Sequence, residues 1–98
     1  MRPIVTTGHA DECFPNVISY EMVMIPADMS VKDPKYTGAA LRPGAPRPWD
    51  FWQVIHTNHT SGKKSIYQEG DEAACDAYMD SMAANIKAQR EMWERDFG

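Results

Sequence analysis

The sequence predicts an α+β domain: a small antiparallel sheet of three or four strands, packed against one long C-terminal helix. Three observations predict it. From Asp71 to Phe97 apolar residues recur at the helical period, while residues 17–25 and 50–57 are rich in β-branched and aromatic side chains. A chain of 98 residues has room for one core, so residues 1–98 form a single small globular domain.

Composition fits that class. Apolar residues make up 43% and charged residues 24%, the balance of an ordinary globular protein. No run of about 18 apolar residues occurs, and Met1–Thr7 lacks the apolar segment of a secretory signal, so a cytoplasmic protein without membrane contact is expected. Two cysteines, Cys13 and Cys75, do not make a disulfide framework. The net charge of −4 is uneven: residues 1–31 carry −3, residues 32–64 carry +4 and residues 65–98 carry −5. The basic middle complements the acidic helix, or both face charged partners.

In chain order, residues 3–6 offer a short edge strand around Ile4-Val5-Thr6, ended by Gly8. Residues 17–25 are the best strand. Ile18, Tyr20, Met22 and Met24 share one face at period two, and Ser19 and Glu21 lie on the other among Val17, Val23 and Ile25. Pro26 lacks an amide donor and stops it. Residues 26–49 hold five prolines and two glycines and form a proline-rich loop, with a second candidate for the fourth strand at 39–42. Its stretch Arg42–Pro48 has polyproline character, suited to a stiff strap across the domain or to docking on an aromatic groove.

Residues 50–57 form the next strand, with Trp52, Val54 and His56 on one face and Phe51, Gln53, Ile55 and Thr57 on the other. Asn58 to Gly62 supplies a turn, and residues 63–68 return as its hairpin partner. Asp71 then stands as helix N-cap. At about 100° per residue, Cys75, Met79, Met82, Ile86, Trp93 and Phe97 make the core stripe. Glu72, Asp76 and Asp80 line another face, and Ala77, Ser81, Ala84 and Ala88 make a strip of small residues. Pairs at Lys87–Glu91, Arg90–Glu94 and Glu91–Arg95 are spaced to support the helix. A helix over 71–97 is longer than any strand, so Met92, Trp93 and Phe97 are expected to overhang the sheet.

Motifs for chemistry are missing. No glycine-rich phosphate loop or recognisable catalytic order occurs, and no cofactor, metal or enzymatic role is expected. His9, Cys13, His56 and His59 are ligand types for zinc, but their spacings match no finger. The function expected is a non-enzymatic protein-binding module, a small regulator or inhibitor such as a bacteriophage makes against a host complex, with homodimerisation as a further property. Its contacts would be Glu72, Asp76 and Asp80 toward a basic partner surface, with Met92, Trp93 and Phe97 as an aromatic anchor. The alternative is a nucleic-acid-binding module using Lys63, Lys64, Trp49 and Trp52, which the overall acidity disfavours. A second alternative is a small zinc protein or enzyme.

Overall fold

A computed structural model describes residues 2–31 and 43–97. The expected strand at 39–42 lies outside the described residues. Four strands, β1 (Val5–Thr6), β2 (Ile18–Ile25), β3 (Phe51–Asn58) and β4 (Lys63–Gly70), precede one helix, α1 (Glu72–Phe97). The strands pair in sequence order β1-β2-β3-β4, each antiparallel to the next. This is the α+β layer that the periodicities predict, with residues 3–6 supplying only a two-residue fourth strand at the edge.

Why these segments form these elements is local chemistry. At the hairpin turn the Asn58 side chain accepts from the amides of Thr60 and Ser61, and Gly62 takes φ 78°, a backbone state that other residues adopt at a cost. At the helix start the Asp71 carboxylate accepts from Ala74 N–H at 2.8 Å, while its carbonyl accepts from Cys75 N–H. Both are N-cap bonds, and they set the entry to α1.

Register assigns the faces. Val5, Tyr20 and His56 lie in one cross-strand row, Met22 and Val54 in the next, and Met24 with Trp52 in the third. This side meets α1. Tyr20, Met22, Val54, Cys75 and Met79 are the buried core, flanked by Val5, Ile18, Trp52, Tyr78, Met82 and Ile86. Met24, expected on that face, stays largely exposed.

Two features depart from the expected pattern. First, β4 runs on to Gly70 through a bulge: Ile55 pairs with Ile66 and Val54 with Gln68, leaving Tyr67 as the extra residue. Tyr67 thereby stacks flat on His56, with ring centroids 4.3 Å apart. Second, the outer side of the sheet is half covered. Phe51 and Gln53, on that side, are buried beneath residues 43–50, and the Arg47 guanidinium lies 4.2 Å above the Phe51 ring. A strand apolar on both sides is sandwiched, and here a loop makes the second layer.

Candidate functional site

The helix end comes first, because the fold leaves it bare. Twenty-six residues at 1.5 Å each span about 39 Å, against about 26 Å for an eight-residue strand. The N-terminal loop extends the cover by one more turn: Arg90 pairs with Asp11 at 2.9 Å, lies over the Phe14 ring at 5.1 Å, and Cys13 Sγ approaches the Gln89 carbonyl. Beyond that the cover stops. Trp93 is half-buried, its ring centroid 6.1 Å from that of Phe97; Phe97 is 76% exposed and Met92 56%. Met92, Trp93 and Phe97 thus form an aromatic and thioether tip on a rigid rod.

The acidic row is less free than its spacing suggests. Arg2 donates through Nη1 to the Asp76 carboxylate at 2.8 Å and to the Asp76 carbonyl, and through Nη2 to Asp80. Hydrogen bonds to these two carboxylates raise the Arg2 pKa further above its ordinary value. One guanidinium therefore offsets part of the charge of Glu72, Asp76 and Asp80, and of these three Glu72 alone has no ion pair among the described residues. The helix-supporting pairs are also redrawn. Lys87 and Glu91 meet at 4.0 Å, but Arg90 turns to Asp11 and Arg95 to its neighbour Asp96. A non-local carboxylate presented by a fixed loop outcompetes one on the same helix.

Residues named for nucleic-acid binding do not converge. Lys63 and Lys64 pair with Asn58 and Thr57 at one end of the hairpin, whereas Trp52 pairs with Gly70 at the other, roughly 20 Å away at 3.3 Å per residue. Trp52 moreover packs on the core side, and Trp49 precedes β3 at the same far end. The candidate zinc ligands also scatter. His56 is held between Tyr67 and Tyr20 on the helix side, while His59 bonds Ser19 on the outer side. Among the described residues no three His, Cys, Asp or Glu side chains are grouped to hold a metal ion.

Ser19 and His59 are a pair that the sequence could not reveal, being 40 positions apart. Ser19 Oγ and His59 Nε2 share a hydrogen bond of 2.8 Å, beside a shallow groove of about 580 Å³ lined also by Glu21, Thr57 and Lys64. A nucleophile and base at this distance are the start of an acyl-transfer site. Such a site also needs a group orienting the imidazole and amides free to bind an oxyanion. No such orienting group bonds His59 among the described residues, and the amides nearby are engaged: His59 N–H donates to the Val17 carbonyl and Ile18 N–H to Thr7 Oγ1. The pair fastens the hairpin turn to β2.

A second groove, about 670 Å³, adjoins the first on the outer face and is lined by Glu21, Val23, Pro43, Ile55, Lys64, Ser65 and Ile66. Directly after Pro43 in its lining comes a largely buried polar cluster. Glu69 accepts from Gly44 N–H and Gln53 Nε2, each at 2.9 Å, and pairs with Arg47. Burial alone would raise the Glu69 carboxyl, but these donors together hold it below the usual range. No family model matches the chain, and no curated protein or solved structure is significantly similar to it.

Proposed function

We propose that the protein is a non-enzymatic protein-binding module that engages its partner through the end of α1. One observation carries this reading: Trp93 and Phe97 lie against each other, with ring centroids 6.1 Å apart, at the end of a well-formed helix beyond the reach of the sheet, where Phe97 and the nearby Met92 are exposed. An exposed phenylalanine backed by a half-buried tryptophan on a rigid element buries a large apolar area on contact at little entropic cost, the usual profile of an interface anchor. Glu72 and the partly offset Asp76 and Asp80 would add charge complementarity toward a basic partner surface, tuning approach more than affinity. A small regulator or inhibitor of a larger complex fits this design. Both cysteines are free, which suits the reducing cytoplasm. No helix among the described residues is long and apolar enough to cross a membrane. Lys63 and Lys64 lie at the other end of the hairpin from Trp52, which makes the nucleic-acid reading the second choice.

Affinity capture from source-cell lysate with wild type and with the Trp93→Ala/Phe97→Ala variant tests the proposal. The expected result is a partner retained by wild type and lost from the variant, with the circular dichroism spectrum unchanged. Equal retention by both would refute the tip. Changing Glu72, Asp76 and Asp80 together to lysine tests the acidic row in the same way.

A further inference from the structure

We propose that the outer face of the sheet binds a free apolar α-amino acid, of about the size of leucine, in the groove between Glu21 and Lys64. This goes beyond the tip reading and uses none of its residues, so either can fail without the other.

Charge is the first observation. Glu21 and Lys64 are exposed and line both outer grooves, and neither forms an ion pair among the described residues. Register sets them on opposite sides of β3, since Glu21 pairs with Ile55 and Thr57 pairs with Lys64. Two strand spacings and two residues along the chain separate their Cα atoms, a distance of about 12 Å. Both side chains rise from one face, so the space between their charged ends takes one small molecule. A lone carboxylate there is drawn to Lys64 and repelled by Glu21, and a lone ammonium meets the reverse. A neutral molecule leaves both charges as they were. A zwitterion satisfies the two at once, and in an α-amino acid the ammonium and carboxylate lie about 3 Å apart.

Shape is the second. Beside the charges Val23, Ile55 and Ile66 make an apolar floor rimmed by Pro43, and Ile66 is left 37% exposed. The loop already closes over one end of this floor: a Cβ at Gly44 would stand 3.9 Å from Ile66 Cδ1. Gly44 N–H is in turn bonded to Glu69, which fixes the loop in that position. A preformed apolar recess with a few polar groups at its margin is the usual form of a small-molecule site. Its volume of about 670 Å³ admits a branched or aromatic side chain, while Thr57 offers the carboxylate a hydroxyl from the adjoining groove.

Because the groove is open to solvent, affinity is expected to be modest, with a Kd of about 0.1–1 mM. Titration of the isotope-labelled full chain with L-leucine to about 20 mM, read by amide chemical shifts, covers that range. Saturable shifts should centre on Glu21, Ile55, Lys64 and Ile66. Isocaproate lacks the ammonium of leucine, isoamylamine lacks the carboxylate, and glycine lacks the apolar arm. Each should bind about threefold or more weakly than leucine. Glu21→Lys and Lys64→Glu each turn one attraction into a repulsion and should weaken leucine about tenfold, with the urea midpoint nearly unchanged because both positions are exposed. No saturable shift by about 20 mM, shifts centred away from this face, isocaproate or isoamylamine as tight as leucine, or full affinity in either charge reversal would each overturn the proposal. Trp93→Ala/Phe97→Ala should bind leucine as wild type does; loss of binding in that variant would move the site to the tip and overturn this assignment.

Discussion

Replacing Glu69 by glutamine keeps the shape of the buried cluster on the outer sheet face and removes its one negative charge. The Arg47 side chain is only 9% exposed and that of Glu69 only 17%, and Arg47 Nε has no hydrogen-bond partner among the described residues. The variant therefore leaves a guanidinium buried against Phe51 and Gln53 with no counter-ion. Stripping one partner from a fully buried pair costs about 3–5 kcal/mol, and the residual exposure here reduces that to about 2–3 kcal/mol. Arg47→Met is milder, about 1–2 kcal/mol, because the Glu69 carboxylate keeps its bonds from Gly44 and Gln53. With both changed the burden of the lone charge disappears, so the double variant should be more stable than the two single losses imply, by about 1 kcal/mol or more. Urea unfolding followed by tryptophan fluorescence reads all four proteins. At a slope of about 1–1.5 kcal/mol per M for a chain of this size, Glu69→Gln should lower the midpoint by about 2 M. A Glu69→Gln loss below about 0.5 kcal/mol with additive singles would show that solvent screens the pair and that it does not pin residues 43–50 to the sheet.

The remaining expectations are simpler. Lowering pH should destabilise the protein through Glu69, of ordinary value 4.5, and through Asp11, of ordinary value 3.8, which Phe14 N–H and Arg90 hold low. Groups depressed in the folded state contribute fully above their ordinary values and lose that contribution as pH falls toward the folded ones, so the urea midpoint should be flat above about pH 5 and decline below it. A midpoint unchanged to pH 3 would contradict the assignment. Asp71→Ala should cost about 1 kcal/mol by removing the N-cap, measured by thermal unfolding. In thiol labelling at pH 8, Cys13 should react in the native protein and Cys75 only on unfolding, since burial, then the charges of Asp71, Glu69 and Asp76, push the Cys75 thiol up. Rapid reaction of both would refute the buried position of Cys75.

The elements legible in the sequence are those that local chemistry specifies. Asp71 caps the helix, Asn58 to Gly62 turn the hairpin, and Cys75, Met79, Met82 and Ile86 mark the stripe that meets the sheet. What could not be read is what depends on residues far apart. The bulge at Tyr67 sets Gln68 across from Val54, a place that unbroken pairing from the turn gives to Tyr67. Phe51 and Gln53 were visible as a face with apolar members, but the loop that buries them contributes a charged residue, Arg47, which no hydrophobic pattern marks as core. Ser19 and His59, like Arg90 and Asp11, become neighbours only when the sheet forms.

The same distinction changes which part of the candidate site deserves weight. A row of carboxylates at helical spacing is a statement about one element, and its availability depends on every other element that can bring a cation to it. Arg2 does so from 74 residues away, carried there because β1 pairs with β2 at the sheet edge next to the first half of the helix. The tip is different in kind. Its exposure follows from a length mismatch between a 26-residue helix and eight-residue strands. No rearrangement of the strands removes that mismatch, and the N-terminal loop reaches only to Arg90. Geometry of that sort survives side-chain motion and competing ion pairs alike. For that reason Trp93 and Phe97, rather than Asp76 and Asp80, are the residues on which partner binding should most depend.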